Sequence, residues 1–279
     1  MDHTALADLR TFYEGFGDLA LPAGTRSAAT TLGGVPALAV DVLGDPGAAT
    51  GTLLYLHGGG YTIGSARTGV PLAARLAASA SLRAWVLDYR LAPEHPYPAA
   101  VDDALAAYEA LVAEHDHARV VLAGDSAGAG LALATLIAAR DAGLPLAAAL
   151  VSFSGWFDLT LSGGSLTGKE TVDPIFDAAG IQVYADTYLA GADPAAPLAS
   201  PLLADLAGLP PLLLQVGTHE VLLDDSTRLS VAAAAADVDV VLEVYAGLSH
   251  VFQHHHASEP TAARALDSAA AFLVRAVSG

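Results

Sequence analysis

The chain contains no cysteine, so it forms no disulfide, offers no thiolate nucleophile and builds no Cys-based metal site. Basic residues are scarce: 12 Lys plus Arg stand against 30 Asp plus Glu, for a formal net charge of -18. A surface that negative repels phosphate backbones and anionic headgroups, which argues against nucleic acid and membrane as partners. Long unbroken apolar runs are missing too. The stretch 131–150 is interrupted by Arg140, Asp141, Gly143 and Pro145, so it is not expected to span a membrane. Residues 1–10 carry Asp2 and Asp8 and no apolar run, so no signal peptide is expected there. Together these features predict a soluble, cytoplasmic protein.

What is present is a large core-forming fraction. Of 279 residues, 53% are hydrophobic, which excludes intrinsic disorder and suits one domain spanning 1–279. Short apolar runs at 53–57, 84–89, 120–124, 147–153, 212–217 and 240–245 end in Gly, Pro or polar residues. Such runs read as strands buried on both faces. Longer helical patterns at 70–80, 99–114, 127–141, 222–236 and 260–277 alternate with them. That order predicts the α/β class, a mostly parallel sheet covered by helices. Gly33-Gly34 adds an antiparallel hairpin at one edge. Two segments break the alternation, an amphipathic stretch at 6–19 and a long insertion at 162–201. They are expected to pack together as a helical cap built from about 1–28 and about 160–200.

Gly124-Asp125-Ser126-Ala127-Gly128 follows a predicted strand and opens a predicted helix. In that context Gly-x-Ser-x-Gly is a nucleophile elbow, a sharp turn that lifts a serine hydroxyl off the sheet. The turn leaves no room for side chains two residues either side, and Gly124 and Gly128 satisfy this. His57-Gly58-Gly59-Gly60 ends an earlier strand. Acyl transfer develops an oxyanion that needs pre-placed N–H donors, and those of Gly59, Gly60 and Ala127 are expected to converge on it. A phosphate cradle would normally supply a Lys, and none is near. His57 itself reads as a structural hydrogen-bonder.

With these motifs on the page, the sequence resembles the hormone-sensitive-lipase-like esterases of the α/β-hydrolase fold, in the bacterial branch carrying Gly-Asp-Ser-Ala-Gly. The run Asp88-Tyr89-Arg90-Leu91-Ala92-Pro93-Glu94-His95-Pro96-Tyr97-Pro98-Ala99-Ala100 matches a signature of that family. So do Pro197-Leu198-Ala199-Ser200-Pro201, Gly208-Leu209-Pro210-Pro211 and Gly247-Leu248-Ser249-His250-Val251-Phe252. The resemblance implies serine-hydrolase chemistry on short acyl esters, a two-part cap, and a homodimer through the last strand and helix.

The chain order of that fold is Ser, acid, His, which gives His250 the role of base. Ten histidines compete, and His254-His255-His256 reads as a solvated helix start or loop, not a metal site. His115, His117 and His219 read as surface residues, with His219 near the site. For the acid the family presents Asp-Pro-Leu-x-Asp, and here Glu220 stands at the first Asp and Asp224 at the second. Glu220 is the expected acid, Asp224 the alternative, and Asp225 a helix N-terminal charge. Trp156 and Tyr184 are candidates to line the substrate pocket, with Phe176 as another, and core packing is the competing role for each. Arg90 is expected in a buried ion pair or bonded to backbone.

The sequence therefore predicts a serine carboxylesterase that hydrolyses small-molecule esters through an acyl-enzyme and needs no cofactor and no metal. Lactone, amide or sugar-acetate deacylation with the same residues is the alternative. A non-catalytic ligand receptor on the same scaffold is a more distant one.

Overall fold

The computed structural model describes residues 3–42 and 49–278. Met1 and Asp2, the first two residues of the expected N-terminal cap piece, lie outside the described residues.

Eight strands form one sheet: β1 (Arg26–Leu32), β2 (Val35–Asp41), β3 (Gly51–Leu56), β4 (Leu82–Leu87), β5 (Val120–Asp125), β6 (Ala149–Phe153), β7 (Leu212–His219) and β8 (Val240–Ser249). They lie in the order β1-β2-β4-β3-β5-β6-β7-β8. All pairings from β4 through β8 are parallel. The β1–β2 hairpin turns through Gly33 and Gly34, both at positive φ, and joins β4 antiparallel. This is the α/β-hydrolase architecture that the motifs implied.

Side-chain alternation explains why the core has two halves. Leu54 and Leu56 of β3 face helices α3 (Ala99–Glu114), α4 (Ala127–Asp141) and α7 (Leu223–Ala235). Leu53 and Tyr55 face α2 (Ala66–Ala80) and α8 (Pro260–Ser278). All four side chains are fully buried, each contributing roughly 1.5–3 kcal/mol of burial free energy. β8 departs from its expected burial on both faces. It is the sheet's edge, and Val241 and Val244 are 46% exposed. An apolar run does not reveal which strand ends the sheet.

The two segments outside the alternation lie beside the loops at the carboxyl ends of the strands. Helix α1 (His3–Glu14) is fixed there by Arg10, which donates to the carbonyls of Thr62 and Ala92 and pairs with both carboxylate oxygens of Glu94 at 2.7 Å. That pairing, above all the hydrogen bonds from Arg10, holds the Glu94 carboxyl down at about 2. β1 begins at Arg26, so residues 26–28 belong to the sheet and not to a cap. The insertion carries α5 (Ser165–Gly168) and α6 (Ala178–Leu189). Tyr188 of α6 stacks on Tyr61 at 3.9 Å, and its carbonyl accepts the N–H of Tyr97.

Candidate active site

Ser126 sits between the last residue of β5 and the first of α4 with φ 52 and ψ -124, a left-handed-side conformation that L residues rarely adopt. The strain is held by hydrogen bonds from its N–H to the Phe153 carbonyl at 2.9 Å and from the Trp156 N–H to its own carbonyl at 3.0 Å. The flanking glycines are enforced by backbone. A Cβ on Gly124 would lie 2.5 Å from the Gly128 carbonyl oxygen, and one on Gly128 2.1 Å from that of Leu56. Ala127 opens α4, so its N–H has no carbonyl one turn earlier to bond.

The loop after β3 folds back on itself, with the Gly59 carbonyl accepting the N–H groups of Thr62 and Ile63 at 3.0 Å. Gly59 (φ +118) and Gly60 (φ +58) provide the reversal. His57 is buried, stacks on Tyr89 at 4.3 Å and donates from Nδ1 to the Gly58 carbonyl at 2.7 Å. Burial lowers its pKa to about 4, so its ring is neutral and structural. Asp125 ties this loop to the elbow. Its carboxylate accepts Tyr55 Oη–H at 2.7 Å and a backbone hydrogen bond from Gly58. Burial pushes the Asp125 carboxyl up to about 6 despite those donors.

His250 follows β8 at the same edge, 8% exposed, and is close enough to Asp125 for their charges to interact. Its Nδ1 lies 3.0 Å from Glu220 Oε2, and Glu220 is fully buried. The other oxygen of Glu220 accepts the Gly217 N–H at 2.6 Å and the Ser154 hydroxyl at 2.7 Å. A neutral His250 therefore carries its proton on Nδ1, bonded to Glu220, and keeps Nε2 unprotonated. Asp224 points elsewhere, accepting the Ser165 N–H at 2.8 Å. Asp225 is buried and clamps the loop after β6, accepting the N–H groups of Phe157 and Asp158. Burial, the largest influence, raises its carboxyl to about 7. Asp158 is also buried. Burial alone would raise its pKa, but hydrogen bonds from Ser162, Thr160 and Arg228 hold it below the usual value.

Among the other candidates, Trp156 is 2% exposed and packs in the core, its Nε1–H donating to the Asp158 carbonyl. Tyr184 reaches the glycine loop after β3: a Cβ on Gly60 would lie 2.4 Å from its Cδ1. Phe176 meets Tyr184 edge-on at 6.1 Å and His250 edge-on at 5.2 Å, so an aromatic run covers His250. Arg90 is half-exposed and makes a two-pronged pair with the largely buried Asp103. His254 departs from its reading as a solvated residue. It is 8% exposed, and its ring lies 4.7 Å from that of Phe16. Periodicity could not show this, because the burial comes from a segment more than 230 residues away in the chain. Ser154 belongs to no motif and was missed. His115 lies near Trp85, away from the elbow. No group of acidic or His side chains among the described residues could hold a metal ion.

This geometry has company among known proteins. A family model described as alpha/beta hydrolase fold matches residues 53–254, and the chain belongs to that family. An acetyl-hydrolase of Streptomyces hygroscopicus is 48% identical over 223 residues, covering 80% of this chain and 75% of that protein. An esterase of Acinetobacter venetianus is 38% identical over 226 residues, covering 80% and 75%. The crystal structure of an esterase from the bacterial hormone-sensitive lipase family superposes with a TM-score of 0.94 at 44% identity, covering 98% of this chain and 92% of that one. The chain is a hydrolase of the carboxylesterase type. No described helix is long and apolar enough to cross a membrane.

Proposed function

We propose that Ser126, His250 and Glu220 form the catalytic triad of a serine carboxylesterase for short-chain acyl esters. Ser126 Oγ attacks the ester carbonyl while His250 Nε2 takes its proton. The N–H groups of Gly59, Gly60 and Ala127 stabilise the oxyanion, each donor being worth roughly 3 kcal/mol of barrier. His250 then protonates the leaving alcohol, and water repeats the sequence on the acyl-enzyme. Glu220 fixes the tautomer and stabilises the imidazolium. The observation that carries this reading is the buried 3.0 Å His250–Glu220 contact, together with a serine held at φ 52 in the elbow of the same sheet. Rapid labelling by a fluorophosphonate probe, abolished in Ser126→Ala, is the expected result. Undiminished labelling in that variant removes Ser126 as nucleophile.

Helices α1, α5 and α6 with their connecting loops act as the cap, and Tyr184 and Phe176 limit the space over the base. The Streptomyces relative, an acetyl-hydrolase, supports a small acyl group. Deacetylation of a sugar or other acetate by the same residues is the second reading, and comparing kcat/KM for aryl acetates, longer aryl esters and acetylated sugars separates the two. We further place the enzyme in the cytoplasm, without nucleic-acid partners. The exposed Val241 and Val244 of β8 support a homodimer through that edge.

A further inference from the structure

One half-buried carboxylate joins the insertion to the loop of the proposed acid. Asp173 Oδ1 accepts the N–H groups of Ile175 at 2.8 Å and Phe176 at 3.0 Å. Its Oδ2 accepts the N–H of Val221 at 2.8 Å. Val221 directly follows Glu220, is 2% exposed, and would otherwise bury an unpaired donor. The same residue is gripped on its other side, since Ser165 Oγ–H donates to the Val221 carbonyl at 2.7 Å. Ser165 Oγ in turn accepts the Asp224 N–H, and Asp224 Oδ2 accepts the Ser165 N–H. Meanwhile the turn that Asp173 closes carries Phe176, whose ring stands perpendicular to His250 at 5.2 Å.

We infer that Asp173 is a positioning residue for catalysis: its carboxylate sets Glu220 from behind and Phe176 from above, so that cap and acid loop hold one arrangement around His250. The inference rests on the reading of Glu220 as the triad acid. Ser154 and Gly217 fix the carboxylate end of Glu220, and Asp173 fixes the peptide from which that side chain springs. Loss of the Asp173 bond lets the loop shift, and Glu220 moves off the Nδ1–H of His250.

The test is a double-mutant cycle on p-nitrophenyl acetate, whose acyl group is too small to report on cap contacts. Asp173→Ala is expected to lower kcat about tenfold with KM within about twofold, because misplacement of a catalytic group acts on the transition state. In a Glu220→Gln background the same substitution is expected to change kcat by less than about twofold, because the route through the acid is already cut. A merely structural role gives equal losses in both backgrounds. Equal losses, or no loss in the native background, overturn the inference while leaving the acid in place. A fully active Glu220→Gln overturns the acid assignment and the inference with it. Circular dichroism and the unfolding midpoint monitor folding. If Asp173→Ala does not fold, Asp173→Asn runs the same cycle, since it keeps one accepting oxygen and turns the other towards an N–H as a donor.

Discussion

Ser154 joins the proposed acid to the chain beyond the proposed base: its hydroxyl donates to Glu220 Oε1 at 2.7 Å and accepts the Val251 N–H at 3.0 Å. Ser154 is fully buried and, at φ 50, is as strained as Ser126 at φ 52. Ser154→Ala deprives a buried carboxylate of one donor and a buried N–H of its acceptor, at a cost of about 1.5–3 kcal/mol. We expect kcat/KM to fall on the order of tenfold and the unfolding midpoint to drop by several degrees. Native kinetics in this variant remove Ser154 from the support of the acid.

Glu220→Gln and Asp224→Asn separate the two carboxylates that the sequence left in competition. Glu220→Gln offers His250 an amide in place of a charge and permits the wrong tautomer, so kcat should fall on the order of 10⁴-fold. Asp224→Asn loses only contacts to Ser165, and kcat should stay within a few-fold of native. The reverse ranking transfers the role of acid to Asp224.

Gly60→Ala tests how closely Tyr184 approaches the loop proposed to hold the oxyanion. A methyl at Gly60 would stand 2.4 Å from Tyr184 Cδ1, and the φ of +58 adds roughly 1–2 kcal/mol of strain. The contact is with a side chain, so the protein should fold while kcat/KM falls. Adding Tyr184→Ala should recover part of that loss. Failure of the double variant to gain anything means that the glycine is needed for its backbone alone.

His254 ties stability to pH. Burial first, and the imidazoles of His255, His250 and His256 next, depress its pKa to about 3 from an ordinary 6.5. Below pH 6.5 the unfolded chain takes up a proton that the folded chain refuses, so this stability is present above 6.5 and is lost as pH falls towards 3. The slope is about 1.4 kcal/mol per pH unit. Asp125 and Asp225, with carboxyls raised to about 6 and about 7, act in the opposite direction as pH falls. Their effects cancel when native protein is compared with His254→Phe. That variant should gain stability relative to native between pH 7 and pH 4.5, measured by urea unfolding. A pH-independent difference rules out a buried neutral His254.

Much of this arrangement was legible in the sequence because its causes are local. Gly124 and Gly128 are demanded by a turn five residues long, and the strand runs are ended by the glycines and polar residues of the loops they feed. Glu220 was legible only through family order, and the carboxylate of its rival Asp224 is bonded to the Ser165 N–H and not to His250. Ser154, Asp173 and the burial of His254 were illegible for a common reason. Each meets residues 48 to 238 positions away, brought near by neighbouring strands, by the insertion or by the turn after α1, and no spacing rule encodes such meetings.

Asp125 pairs with Phe153 across β5–β6, and Phe153 with Gln215 across β6–β7. Ser126, Ser154 and Val216 therefore stand side by side just beyond this rung on three adjacent strands, each strand roughly 4.8 Å from the next. Inserting one residue within β6 would turn the Ser154 hydroxyl to the wrong side of the sheet. The layout of these residues is thus inherited from the backbone ladder, and a different roof grafted above it would change which ester enters while the order of residues along the sheet stays as it is.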